Sequence, residues 1–254
     1  MVKVNILSDW NQKLDAYKVP EDFIDKISNK STHVSFNFYD KKNKDLINVY
    51  IGNLPSEKNL LKYKNLKWLH FGSVGIDKIS EDFIVNKELT VTNSQGLNTK
   101  SVTTYCLGEL FSSCKSGFMQ RKTLSSKKIN RNHFNPFFNK MIDFDDIKLT
   151  VLGFGDIGKN ICEISSGLFK EINVVTKTKR KDKNNLRFYS LEELKVPLRR
   201  STHIINVLPL TLDTRNLLTE EVFSSFKEDS YYICAGRAET HSLNSLFRLL
   251  DRRK

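Results

Sequence analysis

The stretch Lys148-Leu-Thr-Val-Leu-Gly-Phe-Gly-Asp-Ile-Gly158 limits what this chain can fold into more than any other. A short apolar run there meets three glycines spaced G-x-G-x-x-G, which reads as a strand turning directly into a helix. Each glycine has its own job in a dinucleotide-binding turn. Gly153 lets the chain leave the strand tightly, Gly155 lets backbone N–H groups approach a pyrophosphate, and Gly158 lets the helix pack closely on the strand. The helix beginning at Asp156 and running to about Lys170 aims its N-terminal N–H groups and dipole at the phosphates. Context supports the motif: Leu149, Val151 and Leu152 precede it, and Ile157, Ile161, Ile164 and Leu168 follow at helical spacing. Ile172–Thr178 then completes a strand–helix–strand unit. Phe154, Asp156 and Ile157 belong to the same cofactor turn.

A chain of 254 residues has room for two modest domains. Its 39% hydrophobic and 28% charged residues describe a globular protein. No run of eighteen apolar residues occurs, and Met1–Ser8 lacks the apolar core and cleavage site of a signal peptide, so the expected setting is the cytoplasm, without membrane attachment. Cys106, Cys114, Cys162 and Cys234 show no C-x-x-C or Cys/His spacing and read as buried free thiols. The histidines His33, His70, His133, His203 and His241 form no cluster, so no metal site is expected. The net charge of +12 is spread along the chain, which favours solvated faces over a nucleic-acid surface. A local exception is Lys177-Thr-Lys-Arg-Lys-Asp-Lys183, with five basic residues to one acid.

Along the chain, Val2–Leu7, Thr32–Phe38, Leu46–Ile51, Leu66–Phe71 and Leu89–Thr92 read as strands, and Glu21–Asn29 and Ser56–Tyr63 as short helices. This alternation predicts an open, mostly parallel sheet in a first α/β domain of residues 1–97. Residues 98–144 read as an interdomain helix, with an apolar stripe of Val102, Tyr105, Leu107, Leu110 and Phe111, followed by a poorly periodic linker. The second domain, 145–254, adds a short helix at Ser190–Leu194, a buried strand at Thr202–Leu208, a helix capped by Thr219, a strand at Ser230–Ala235 and a closing helix at Ser242–Leu250.

Several stretches share one pattern: Asn65–Asp77, Val91–Gly96, Gly153–Lys159, Asn206–Thr214 and Phe226–Arg237. Together they resemble the D-isomer-specific 2-hydroxyacid dehydrogenases, a family that includes glyoxylate and hydroxypyruvate reductases and phosphoglycerate dehydrogenases. The resemblance implies two Rossmann-like or flavodoxin-like α/β domains with parallel sheets, and hydride transfer between a nicotinamide and a small 2-oxo or 2-hydroxy acid. By the same resemblance Arg237 holds the substrate carboxylate and polarises the carbonyl, as a fixed, permanently charged guanidinium can. Backbone N–H groups of Ser73, Val74 and Gly75 would hold the carboxylate from the first domain, with Asn53 in a specificity loop. Leu208, Pro209, Thr214 and Ala235 join the glycine turn as cofactor residues, and the cleft is expected between Gly72–Gly75 and Gly153–Gly158. A homodimer through the interdomain helix is a further implication.

This chain also departs from the family pattern. The family's acidic residue and proton-donating histidine lie well beyond the arginine, whereas the sequence ends seventeen residues after Arg237. Neither Glu239 nor His241 holds the matching place. Thr104 stands where a glutamate is usual, Cys234 replaces an asparagine and Ala238 a glycine. These departures lead to the expectation of a C-terminally truncated chain. Its NAD(P)-binding domain would lack its last strands, leave Ser230–Ala235 as an exposed apolar edge, and turn over weakly or not at all. The rival reading is a catalytically silent dinucleotide-binding or protein-interaction module. For the cofactor, an NAD-selective turn usually carries an acid about 20 residues beyond the glycines. Here Thr176–Lys181 has none, so NADP(H) is expected over NAD(H), with Thr178, Lys179 and Arg180 nearest the 2′-phosphate.

Overall fold

The computed structural model describes residues 2–9, 34–39, 42–52, 55–115 and 141–252, with single positions at 22, 25, 26, 30 and 125. The chain forms two compact units, residues 1–97 and 98–254.

In the first unit, β1 (Val2–Asp9), β2 (Val34–Tyr39), β3 (Val49–Gly52), β4 (Trp68–Phe71) and β5 (Thr90–Asn93) make a five-stranded sheet in the order β2-β1-β3-β4-β5. Every pairing is parallel, which is the flavodoxin-like order. Leu7, Ile47, Tyr50, Leu69 and Phe71 supply its core together with Leu60 from the one-turn helix α1 (Glu57–Leu60). That helix is shorter than the expected Ser56–Tyr63. Ser56 makes no side-chain cap bond, and Tyr63 N–H closes the last turn on the Leu60 carbonyl at 3.0 Å. By contrast, α2 (Glu81–Asn86) is properly capped, with Phe83 N–H donating to Ser80 Oγ at 3.2 Å.

The second unit opens with α3 (Thr99–Cys114) and continues through β6 (Leu149–Leu152), α4 (Asp156–Ser165), β7 (Ile172–Thr176), β8 (Leu186–Ser190), α5 (Lys195–Leu198), β9 (His203–Asn206), α6 (Glu220–Ser224), β10 (Tyr231–Cys234) and α7 (Leu243–Arg252). Its parallel sheet runs β10-β9-β6-β7-β8. Numbered from the first strand of this unit, that is the dinucleotide-fold order 3-2-1-4-5. The central strands β6, β7 and β9 are buried throughout, as a parallel sheet covered on both faces requires. Alternation sends Leu149, Val151, Ile172, Val174 and Ile205 toward Leu107, Leu110 and Ile161 on α3 and α4. Leu152, Val175 and Ile204 face the other way, onto Leu198, Val222 and Phe223.

Three local readings of the sequence are corrected. The strand β8 has no counterpart among the elements expected from the sequence. On α3 the buried face is Thr103, Cys106, Leu107, Leu110 and Cys114, while Tyr105 is 56% exposed. The helix α4 stops at Ser165 instead of about Lys170, leaving Ile164 and Leu168 largely exposed, and Phe169 fills the core after the chain turns. At the sheet edge, β10 is half-buried, with the Tyr232 ring 5.7 Å from Phe223 and 5.9 Å from Phe226.

Candidate functional site

In the second sheet the strand order reverses between β6 and β9, and such a reversal leaves a crevice at the carboxyl ends of those strands. The turn from Gly153 to Gly158 lies there. Gly153 has φ +102°, its N–H donates to Val175 O at 2.9 Å, and an added Cβ would sit 3.1 Å from Val207 O on the neighbouring strand exit. A Cβ on Gly158 would meet Gly153 O at 2.1 Å, so α4 can approach β6 only through a glycine. Gly155 differs, because a Cβ there would meet nothing within 4 Å. The backbone beside it is open to a ligand. Lys159 N–H bonds Gly155 O at 2.9 Å to begin α4, and the first N–H groups of that ten-residue helix have no acceptor within the helix. An open glycine before outward N–H groups and a positive dipole end fits a pyrophosphate. Phe154, Asp156 and Ile157 complete this turn.

Beyond β7 the basic run is tied to three places. Lys177 Nζ lies 2.6 Å from Asp213 on the loop after β9, and Lys179 Nζ lies 2.7 Å from Glu193 on the turn after β8. Arg180 sets its guanidinium 5.3 Å from the centre of the Phe154 ring, over the glycine turn. Phe154 is backed edge-on by Phe188 at 5.0 Å. The two carboxylate partners hold the Lys177 and Lys179 ammonium groups above the usual lysine range, and Lys179 with Ser190 N–H holds Glu193 below the usual carboxylate range. Thr176 Oγ1 donates to Thr178 O at 2.7 Å, bending the chain at the strand end.

Across the crevice, the loop after β9 carries Leu208, Pro209 and Thr214. Thr214 Oγ1 donates to Pro209 O at 2.6 Å and accepts from Thr211 N–H at 2.8 Å, which folds the loop on itself. The exit of β10 is pressed against it: Ala235 and Gly236 N–H both donate to Asn206 O at 3.0 Å, and a Cβ on Gly236 would lie 2.6 Å from Leu208 O. Arg237 follows at once. Its carbonyl accepts from Thr240 Oγ1 at 2.7 Å and Thr240 N–H at 3.1 Å. Fully buried Asn206 donates through Nδ2 to Thr240 Oγ1 at 2.9 Å and to Tyr232 Oη at 2.8 Å, and accepts from Leu208 N–H at 3.1 Å through Oδ1. All hydrogens of its amide nitrogen are thereby used. Sequence reasoning missed Asn206, Tyr232, Thr240 and Gly236 as a brace for the Arg237 turn. The available signal was an asparagine ending an otherwise apolar buried strand.

The two described histidines of this unit are buried. His241 is 5% exposed, 3.4 Å from Tyr232 Oη through Nδ1 and edge-on to Phe223, and burial lowers its pKa while Glu239 opposes the shift. His203 is fully buried between Ser113 Oγ, 2.9 Å from Nε2, and Thr202 Oγ1, 3.0 Å from Nδ1, and burial lowers its pKa to about 4.

In the first unit, Ser73, Val74 and Gly75 leave the carboxyl end of β4. The loop is held by Asn93 Nδ2, donating to Val74 O at 2.7 Å, and by Ser73 Oγ, donating to Gly75 O at 3.2 Å. Asn53 lies outside the described residues. Among the described residues no group of three or more His, Cys, Asp or Glu could hold a metal ion, and no helix is long and apolar enough to cross a membrane.

A family model for the NAD binding domain of D-isomer specific 2-hydroxyacid dehydrogenases matches residues 115–254, the part that contains the glycine turn, the basic loop and Arg237. The chain belongs to the D-isomer specific 2-hydroxyacid dehydrogenase family. A glyoxylate reductase of Thermofilum pendens is 25% identical over 195 residues, covering 73% of this chain and 55% of that protein. This member of the dehydrogenase family spans about half the length of the curated relatives it matches. Among solved structures, an NAD-dependent formate dehydrogenase from Staphylococcus aureus in complex with NAD has a TM-score of 0.79 at 18% identity, over 98% of this chain and 78% of that one. An acyclic imino acid reductase in complex with NADPH and D-Arg gives the same TM-score at 19% identity, over 98% and 80%. These likenesses show the shared two-domain α/β fold of the family.

Proposed function

We propose that this protein transfers a hydride between a nicotinamide dinucleotide and a small 2-oxo or 2-hydroxy acid; the glyoxylate reductases among its relatives are named for reducing one such acid. The observation that carries this reading is the open Gly155 turn at the strand-order reversal, with Arg237 leaving the next strand exit but one. A bound nicotinamide would supply the hydride. The chain's own groups would bind and orient: Gly153–Gly158 and the α4 N-terminus the pyrophosphate, and Leu208, Pro209, Thr214 and Ala235 the remainder of the cofactor. Arg237 would take the substrate carboxylate and draw electron density from the carbonyl, its backbone fixed by Thr240 and Asn206. Residues 1–97 would serve as the substrate domain, with Ser73, Val74 and Gly75 N–H groups on the carboxylate. NADP(H) is favoured over NAD(H), since Thr176–Lys181 offers no carboxylate to a ribose hydroxyl and sets Arg180 beside the glycine turn. Thr178 and Lys179 are its proposed companions. A homodimer and a cytoplasmic setting complete the reading.

One observation favours a second reading, a dinucleotide-binding module with little turnover: both described histidines of the second unit, His203 and His241, are buried, with ring nitrogens facing Ser113 and Tyr232. Mixing the protein with NADPH and glyoxylate or hydroxypyruvate separates the two. Oxidation of NADPH that falls at least about a hundredfold in Arg237→Met supports the dehydrogenase. Tight NADPH binding without oxidation supports the silent module, and absence of binding contradicts both.

A further inference from the structure

Lys177, Lys179 and Arg180 follow β7 in quick succession, yet their charges are directed to different elements. Lys177 goes to Asp213, Lys179 to Glu193, and Arg180 to the face of Phe154 on the glycine turn. Glu193 is itself anchored, because its Oε2 accepts Ser190 N–H at 3.0 Å while Oε1 takes Lys179 Nζ. A carboxylate fixed by the backbone holds its lysine in one place and cancels its charge there. Asp182, the acid within the basic run, is also engaged, accepting Phe188 N–H at 2.8 Å. A ribose 2′-phosphate differs from a ribose hydroxyl chiefly by about two negative charges, so the unneutralised cations within reach decide how strongly the loop prefers it.

Resting on the dinucleotide site proposed above, we infer that Glu193 is a specificity-determining residue. By pairing with Lys179 it weakens the pull of the loop on a 2′-phosphate, which Arg180 beside the glycine turn still attracts, and so keeps NAD(H) admissible. Glu193 lies on the turn after β8, outside the strand end where cofactor preference is read from sequence. It acts through the lysine, as a positioning residue.

The test is calorimetric titration of the 254-residue protein and three variants with NADPH and with NADH. Glu193→Gln keeps an acceptor for Ser190 N–H and removes the charge. It is expected to raise the NADPH-to-NADH affinity ratio about two- to fivefold, the scale of an exposed charge pair. Adding Lys179→Met to that variant should return the ratio to near the wild-type value. Glu192→Gln, an equal charge change at an exposed position of the same turn, should shift the ratio by less than about twofold. An unchanged ratio in Glu193→Gln, an equal rise in Glu192→Gln, or a rise that persists without Lys179 would each overturn the inference. A wild type that prefers NADH, with the expected rise in Glu193→Gln, supports the role of Glu193 and contradicts only the NADP(H) preference. Failure of the wild type to bind either nucleotide overturns both.

Discussion

At the scale of single residues, the glycine turn was legible because each glycine answers a steric demand that no other side chain meets. Gly158 is the sharpest case, with 2.1 Å between an added Cβ and Gly153 O. Gly158→Ala is expected to cost at least about 1–3 kcal/mol in urea unfolding, the scale of forced overpacking, and a loss under about 0.5 kcal/mol would contradict the close packing of α4 on β6. The Asn206–Thr240–Arg237 brace was not legible, since its members meet only after β9 and β10 pair in parallel register. His203 was equally opaque, a histidine at the start of an apolar strand. Ser113 Oγ gives its hydrogen to Leu110 O at 2.6 Å, so His203 Nε2 is the donor to Ser113. Burial disfavours the charged ring, so Nδ1, 3.0 Å from Thr202 Oγ1, carries no proton near pH 7. An unfolded histidine binds its proton near pH 6.5 and the folded one only near 4, so the unfolded state takes up protons first as the pH falls. The stabilisation is whole above pH 6.5 and declines through 4, by up to about 3 kcal/mol. Unfolding measured from pH 7 to 4 should show this slope, flattened in His203→Gln; identical slopes in both proteins would refute the assignment.

At the scale of elements, strand and helix order could be read well in the second unit, and least well where tertiary packing overrode periodicity. The strand β8 has only Phe188 buried, carries Arg187 within it and follows Asn184 and Asn185, so no sustained alternating apolar pattern announces it. On α3 the sheet selects Thr103 and Cys106 over Tyr105, because small side chains allow the helix to sit close. Of the caps, Thr219 was readable and Ser56 was not, since Ser56 makes no side-chain cap bond. Thr219 was expected to start a helix, and its Oγ1 accepts from Val222 N–H at 3.4 Å at the head of α6. That long bond puts Thr219→Ala near the low end of cap effects, about 0.5–1 kcal/mol in thermal or urea unfolding. A cost above about 2 kcal/mol would mean the hydroxyl does more than cap.

For the whole molecule, two parallel sheets with separate cores set the Ser73–Gly75 loop and the glycine turn at the carboxyl ends of strands, and the family follows from the second unit. The sequence carried that architecture because βαβ units announce themselves locally, whereas the ion pairs that tie the basic loop join residues far apart in the chain. The central claim is that the Gly153–Gly158 turn is a dinucleotide site. Gly155→Ala tests it most directly, since the added methyl meets nothing within 4 Å in the protein alone and would stand where a pyrophosphate must approach. Titration of wild type and Gly155→Ala with NADPH, alongside their thermal melts, gives the answer. We expect saturable binding by the wild type, at least about tenfold weaker binding by the variant, and melting temperatures within about 2 °C of each other. Equal affinities in the two proteins, or no binding by the wild type, would contradict the account.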